Sequence, residues 1–439
     1  MTKRRVFMSV LGSTAYRECT YVSSRSGAKT YYRTKFIQVA TLSLIARDWQ
    51  SNDCVYIFLT RGEYGSEQRN WIDNGHKDKE TQKPVMAEGL KSELENLQLS
   101  CQIKSIYLEN GDTEEQIWTN FQRLYNCLQE GDEVYFDITH GFRSLPMLVL
   151  ALNNYSKFLK NTQVLSITYG NYEARNQNDE APIVDLTSVS ELQTWTVAAS
   201  MFITSGNTEM ISQLLGTGNL NSLNNFVDEI ATCRGLSIID GETAQNAYKE
   251  LDNLNYQNRI FSELIDRVKQ KVACYTNNEV LNGFRAVQFC IDHRLFQQGY
   301  TLLQEFITTY ILLDCGYDDW KDETLRNAVS GAMNINKREN FRLTRIPEYK
   351  SENEDDEDFD KRMKDVLKKR EIESKLADKL FSRPYKKKLS DKVFKNLSQG
   401  ARNDINHAGI RNSPKSTSYL KDRLTGYFNA TRTIFNLSI

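Results

Sequence analysis

An arginine and a histidine five residues apart, Arg402 and His407 in the run Gly400-Ala401-Arg402-Asn403-Asp404-Ile405-Asn406-His407-Ala408-Gly409, are residue types that can break a phosphodiester without a metal. Such cleavage of RNA needs a group that deprotonates or positions the 2′-hydroxyl, a proton for the departing 5′-oxygen, and a cation for the charge that builds on phosphate. His407 and Arg402 meet those needs, with Asn403 and Asn406 as hydrogen-bond donors. On one ideal helix, residues five apart point about 140° from each other at 3.6 residues per turn. Either the motif straddles a helix start after Gly400, or a second protomer completes the site. An Asn- and Asp-rich cap with a part-exposed histidine is the plainer reading of the same residues.

A second run, Asp137-Ile138-Thr139-His140-Gly141-Phe142-Arg143-Ser144-Leu145-Pro146, suits an anion. A strand delivers Asp137, a polar loop follows, and Pro146 fits the first turn of the next helix. Free amides at that helix start and the charge of Arg143 would share one crevice. A capped helix with a surface arginine is the alternative. A third run, Leu11-Gly12-Ser13-Thr14-Ala15-Tyr16, follows the first strand and offers hydroxyls and amides to phosphate or ribose oxygens. It lacks Gly-x-Gly-x-x-Gly, which disfavours a dinucleotide site and leaves a simple turn as the alternative.

The elements that would position these loops are legible as alternation. Strand patterns at 6–11, 55–60, 103–108, 133–138, 164–169 and 183–186 interleave with helical stretches near 31–48, 85–98, 113–129 and 145–160. That alternation predicts right-handed βαβ units and a mostly parallel sheet covered on both faces. Ligands of such sheets sit where loops leave the carboxyl ends of strands, here 12–30, 61–84 and 139–144. After Thr187 helical patterns take over, at 189–204, 242–273, 282–313 and 416–437. The fold class expected is α/β plus all-α: a Rossmann-like parallel sheet over 1–187, then a helical domain over 188–439. A charged insertion at about 340–395, acidic over 351–361 and then basic, reads as a solvated insertion or mobile helical arm.

Composition narrows the function classes. At 439 residues, with 40% hydrophobic and 26% charged, the chain is folded and holds two or three domains. Lys plus Arg (56) nearly cancels Asp plus Glu (57), so any RNA contact is a local site. The longest apolar stretch, near Met147–Leu152, falls far short of the roughly 20 residues that span a bilayer, so no membrane partner is expected. The apolar run after Lys3, Arg4 and Arg5 ends by Leu11, too short for a secretory signal. Eight cysteines without a Cys-x-x-Cys pair read as reduced core residues in the cytoplasm, and four scattered histidines form no metal cluster. Neither a metal nor a cofactor is expected.

Taken together, an N-terminal Rossmann-like half carrying Asp137–Pro146 and a helical half carrying Arg402–Gly409 resemble the CRISPR-associated CARF–HEPN ribonucleases, the Csx/Csm ancillary effectors of type III systems. The first segment is similar to the strand-four loop of their CARF sensor. The second matches their Arg-x4-His signature residue by residue, which implies catalytic positions for Arg402 and His407 with Asn403 and Asn406 beside them. The resemblance implies a homodimer or higher homo-oligomer. A cyclic oligoadenylate, with cyclic tetra-adenylate the expected ring, would bind across the CARF pair as allosteric activator. A composite metal-independent site for single-stranded RNA, leaving 2′,3′-cyclic phosphate ends, would form across the HEPN pair. Ligand contacts would fall to Gly12, Ser13, Thr14, Thr60, Arg61, Thr139, His140, Gly141, Phe142, Arg143 and Ser144. The insertion matches no feature of that family. A ring nuclease using His140, and a non-enzymatic nucleotide-sensing regulator whose helical half binds nucleic acid or a partner, are the competing readings.

Overall fold

The computed structural model describes residues 3–24, 29–77, 84–215, 221–254, 259–335, 355–410 and 412–438. The chain divides into two compact units, Met1–Thr194 and Trp195–Ile439. The first contains, in order, β1 (Arg5–Val10), β2 (Cys19–Ser23), β3 (Thr30–Thr34), α1 (Ile37–Ile45), β4 (Cys54–Thr60), β5 (Asn74–Lys77), β6 (Pro84–Ala87), α2 (Leu90–Asn96), β7 (Gln102–Leu108), α3 (Glu114–Asn126), β8 (Glu133–Asp137), α4 (Leu145–Lys160), β9 (Gln163–Gly170) and β10 (Glu180–Asp185). Helix α5 (Thr187–Ser205) carries the chain into the second unit.

Eight strands form one sheet in the order β3-β2-β10-β9-β8-β1-β4-β7, and β5 pairs with β6 apart from it. Strands β9, β8, β1, β4 and β7 are parallel, β10 runs antiparallel to β9, and a β2–β3 hairpin extends the edge. Residues 6–10 of β1 are all buried because the sheet is covered on both faces. Val6, Met8 and Val10 enter a core shared with Phe121 and Leu124 of α3 and Val149 and Leu152 of α4. Phe7 and Leu11 enter the opposite core, with Val39 and Leu42 of α1 and Leu90 and Leu94 of α2. From β1 the chain builds outward to β4 and β7, then reverses to β8 and β9. The pair β1/β8 is therefore the switch point, the crevice where open α/β sheets hold ligands.

Several expected elements are corrected, among them 242–273, which holds two helices, Glu242–Asp252 and Arg259–Lys269. The helix expected near 31–48 opens as strand β3, because Tyr31, Tyr32 and Thr34 favour an extended backbone and pair with β2. The stretch 85–98 likewise begins as β6 before α2. The apolar pattern of 282–313 is two helices, broken where Arg294 takes a left-handed φ of 62°.

The second unit is helical: α6 (Glu209–Leu215), α7 (Asn221–Ala231), α8 (Gly235–Asp240), α9 (Glu242–Asp252), α10 (Arg259–Lys269), α11 (Leu281–Asp292), α12 (Phe296–Asp314), α13 (Glu323–Asn334), α14 (Asp356–Phe381), α15 (Lys386–Leu389), α16 (Arg402–Asn406) and α17 (Thr417–Phe435). Its centre is α12, whose Tyr300, Leu303 and Phe306 are fully buried. Gly283 of α11 lets Phe306 lie directly on its backbone, where any Cβ would clash. Residues 336–354, which include the start of the charged insertion, lie outside the described residues. Of the part that follows, the first half of α14 is largely exposed, and the second half corrects the expected solvated arm. Asp355 caps α14 through the Asp358 amide at 2.7 Å, and the second half of α14 buries Leu376, Ala377 and Leu380. Lys386 then donates to the Ile335 carbonyl at 2.6 Å.

Candidate functional site

The loops after β1 and β8 meet at the switch point. Gly12 has His140 against it: a Cβ on Gly12 would stand 3.3 Å from His140 Cβ and 2.6 Å from the Tyr16 hydroxyl. The need for glycine here is close approach, not a positive φ. The Tyr16 and His140 rings lie 4.6 Å apart. The Tyr16 hydroxyl nears the Gly12 backbone without a hydrogen bond of good geometry, and burial raises its pKa. His140 Nε2 is buried and has no hydrogen-bond partner among the described residues. An unsatisfied buried nitrogen costs roughly 1–3 kcal/mol, and such groups collect at functional sites.

Hydrogen bonds hold the crevice floor. Ser9 donates to Asp137 Oδ2 at 2.6 Å, and Gln38 Nε2 donates to Ser9 Oγ at 3.1 Å. Thr139 donates to Asp137 Oδ1 from both its amide and its hydroxyl, and its Oγ1 accepts from the Gly170 amide at 2.7 Å. The Thr139 hydroxyl is thus engaged by the protein. So is that of Thr60, whose Oγ1 accepts from the Ser66 amide at 3.0 Å. Arg61 lies over Tyr107, its guanidinium 3.8 Å from the ring centre.

Gly141 has a φ of 123°, and a Cβ there would meet Leu145 at 2.9 Å and Val10 at 3.1 Å. Only glycine lets this loop hug the core. Phe142 packs onto the core beneath α3 and α4, while Arg143 is exposed. The start of α4 is less open than the sequence suggests. The Leu145 amide donates to Phe142 O at 2.9 Å and that of Leu148 to Ser144 O at 3.1 Å, and Pro146 has no amide proton. The Ser144 side chain makes no capping bond.

Three contributors escape the local pattern. Asn70 Nδ2 donates to Gly12 O at 2.8 Å and Thr14 O at 2.9 Å, and Arg69 Nη1 to Ser13 O at 3.3 Å, so a π turn over Glu67–Trp71 shapes the first loop. Tyr64, 70% exposed, offers a ring face in the loop after β4. Its exposed aromatic character was the one available signal. Nothing local marks Asn70 and Arg69, whose targets lie more than fifty residues away.

Burial lowers the His140 pKa, with Asp137 pulling the other way, and burial also lowers that of His293. Histidine titrates near 6.5 in an unfolded chain. Stability contributed by these neutral rings is fully present above about pH 6.5 and is lost as the pH falls through their lower folded values, because the unfolded chain then binds more protons. Urea unfolding at pH 7.5 and 5.5 should show that loss, and His140→Gln should reduce but not remove it. An unchanged difference would mean His140 is not buried neutral.

In the helical unit the motif lies at a helix end, which overturns the first of the two alternatives, a helix start after Gly400. Residues 386–406 are continuously helical, with π turns at Ser390–Phe394 and Leu397–Ala401 immediately before Arg402. Such turns are frequent at functional sites. Helix α16 closes with the Gly409 amide donating to Asp404 O at 2.9 Å and the Ala408 amide to Ile405 O at 3.1 Å, so Ala408 takes a left-handed φ of 55°. His407 is the C-cap residue. Asp404 is buried and accepts from the Lys415 amide at 3.1 Å. Asn403, Asn406 and His407 are exposed. Arg402 turns elsewhere: its Nη2 is 3.6 Å from Glu305 Oε1, and its Nε is buried without a hydrogen-bond partner.

Among the described residues no group of three or more His, Cys, Asp or Glu could hold a metal ion, and no helix is long and apolar enough to cross a membrane.

The chain is 26% identical over 214 residues to a CRISPR-associated protein of Methanocaldococcus jannaschii, an alignment covering 43% of this chain and 33% of that protein. It thus spans about a third of that relative's length. Csm6 of Enterococcus italicus, solved bound to cyclic hexa-2′-fluoro-hexa-dAMP, superposes with a TM-score of 0.34 at 11% identity, over 99% of this chain and 93% of that one. The loops that meet at the β1/β8 switch point lie within residues 6–174, which match the family described as the CARF domain of the CRISPR system endoribonuclease Csx1.

Proposed function

We propose that this protein is a cyclic-oligoadenylate-activated, metal-independent endoribonuclease of type III CRISPR defence, a homodimer that senses the ring with its first unit and cuts single-stranded RNA with a HEPN-type helical unit. The observation that carries the sensing half is the switch-point crevice within a segment similar to a CARF domain: Gly12 against His140, an unsatisfied buried nitrogen, and Arg143 exposed in the same loop as His140. Ring phosphates suit the arginine, and adenines suit an aromatic rim such as Tyr64.

The cutting half rests on α16 and its end. His407, Asn403 and Asn406 share an exposed face, whereas Arg402 points toward Glu305. Arg402 is engaged with Glu305 while His407 stands exposed at the helix end, which favours a site completed by the second copy. Dimerisation through the first unit is supported by α4, whose Met147 and Phe158 are 76% and 87% exposed on one helix face. A ring of four adenylates has its own two-fold axis, which fits an isologous pair. Phe158→Glu should shift sedimentation toward monomer and abolish activation without loss of folding. A dimer as stable as wild type would move the interface elsewhere.

The deciding experiment is cleavage of labelled single-stranded RNA with cyclic tri-, tetra- and hexa-adenylate tested separately in EDTA. Cleavage with one ring, leaving 2′,3′-cyclic phosphate ends, is expected. A requirement for Mg²⁺ or Mn²⁺ would overturn the metal-free chemistry. Tight ring binding with no cleavage would leave the non-enzymatic regulator standing.

A further inference from the structure

A cavity of about 280 Å³ in the helical unit is walled by Leu236 of α8, Thr301 and Glu305 of α12, Trp320 and Lys321 of the turn before α13, and Arg326 of α13. That volume lies near the roughly 300 Å³ lower bound of small-molecule sites, room for a nucleobase and little more. Glu305 joins it to the cleavage motif. One of its carboxylate oxygens accepts from Arg326 Nη2 at 2.7 Å, and the other lies 3.6 Å from Arg402 Nη2. Arg326 also donates to Glu305 O at 3.1 Å, Thr309 Oγ1 at 2.9 Å and Trp320 O at 3.3 Å, so it fastens the Trp320 turn to α12 and fixes the wall. The Lys321 ammonium is 5.3 Å from the centre of the Trp320 ring.

We infer that this cavity takes the nucleobase next to the cleaved phosphate, stacked on Trp320 and read by Glu305, with Lys321 on the RNA backbone and Arg402 on the scissile phosphate. The inference rests on the ribonuclease reading above. It supplies what the motif lacks, a means of placing one linkage. An aromatic face stacks on any base, so Trp320 gives affinity without sequence preference. The carboxylate gives the preference. It only accepts, and adenine, cytosine and guanine each offer it an amino group, whereas uracil presents two carbonyl oxygens around a single N–H. Uridine at this position should be disfavoured.

The test uses short 2′-O-methyl RNAs, uncleavable because the nucleophile is blocked, that differ only in the base beside the central linkage. Their binding to the full chain is followed by fluorescence anisotropy, with and without cyclic tetra-adenylate. Wild type should bind the uridine oligomer most weakly. Trp320→Ala should weaken the other three by about tenfold or more, and Trp320→Phe should keep most of that affinity. Glu305→Gln should narrow the gap to uridine, because an amide both donates and accepts. Equal binding of the four oligomers by wild type, or no change in either Trp320→Ala or Glu305→Gln, overturns the pocket. Should Trp320→Ala fail to fold, Trp320→Phe and Glu305→Gln decide. Unmethylated oligomers run alongside separate the two failures. Ring-stimulated cleavage without base preference sinks the pocket alone, whereas base-dependent binding without cleavage under any ring sinks the ribonuclease reading and leaves the cavity as a base-binding site only.

Discussion

His407→Ala and Arg402→Ala should each lower ring-stimulated RNA cleavage by about two to four orders of magnitude, the usual worth of a positioned acid–base group or of a donor that stabilises charge in the transition state, and leave ring affinity unchanged. Neither change should threaten the fold. His407 is exposed, and surface substitutions of that kind stay within about 0.5 kcal/mol. Arg402 loses a 3.6 Å pair with a part-exposed Glu305, an interaction worth little in water. Single-turnover cleavage at saturating cyclic tetra-adenylate, with ring binding in parallel, checks both variants. Near wild-type cleavage by either would remove that residue from the reaction.

Mixing the two dead variants tests the composite site. If Arg402 of one protomer serves His407 of its partner, a heterodimer of Arg402→Ala and His407→Ala contains one intact pair, and part of the activity returns. If both groups act within one protomer, no mixture recovers. The geometry predicts recovery, because residues five apart across a helix end diverge and Arg402 is directed toward Glu305.

What could be foreseen follows a physical division. The runs Val6–Leu11 and Val55–Thr60 are short, mostly apolar and rich in β-branched and aromatic residues, which suits a strand covered on both faces, so the parallel centre of the sheet is legible in them. The same periodicity failed at Tyr31–Thr34, where the pairing partner β2, not local preference, decided the conformation. The two loops of the switch point are visible because glycine, hydroxyls and arginine cluster after a strand. Their supports are not: Asn70 reaches the Gly12 loop, Gly170 meets Thr139, and Glu305 approaches Arg402 only through the tertiary fold. Nor do residues 390–401 announce their π turns, since the apolar pattern of Leu389, Val393, Phe394 and Leu397 reads as ordinary helix.

Arg143→Ala should shift the activator dose about ten- to hundredfold to the right while leaving maximal cleavage largely recoverable. The residue stands exposed in the loop after β8, three positions beyond His140, whose Cβ approaches Gly12. The structure gives its charge more importance than the sequence suggests, because the amides of Leu145 and Leu148 are already used within the loop and Pro146 has none. A phosphate arriving there has fewer backbone donors to replace the arginine. A charge-assisted hydrogen bond contributes roughly 1.5–3 kcal/mol, which is about ten- to hundredfold in affinity. At saturating ring the loss of occupancy is overcome, and Arg402 and His407 are untouched, so cleavage should return. Titration of cyclic tetra-adenylate against wild type and Arg143→Ala, with direct binding measured beside cleavage, distinguishes the cases. A lowered maximum at full occupancy would make Arg143 part of the coupling between ring and nuclease, and unchanged affinity would remove this loop from the ring's binding site.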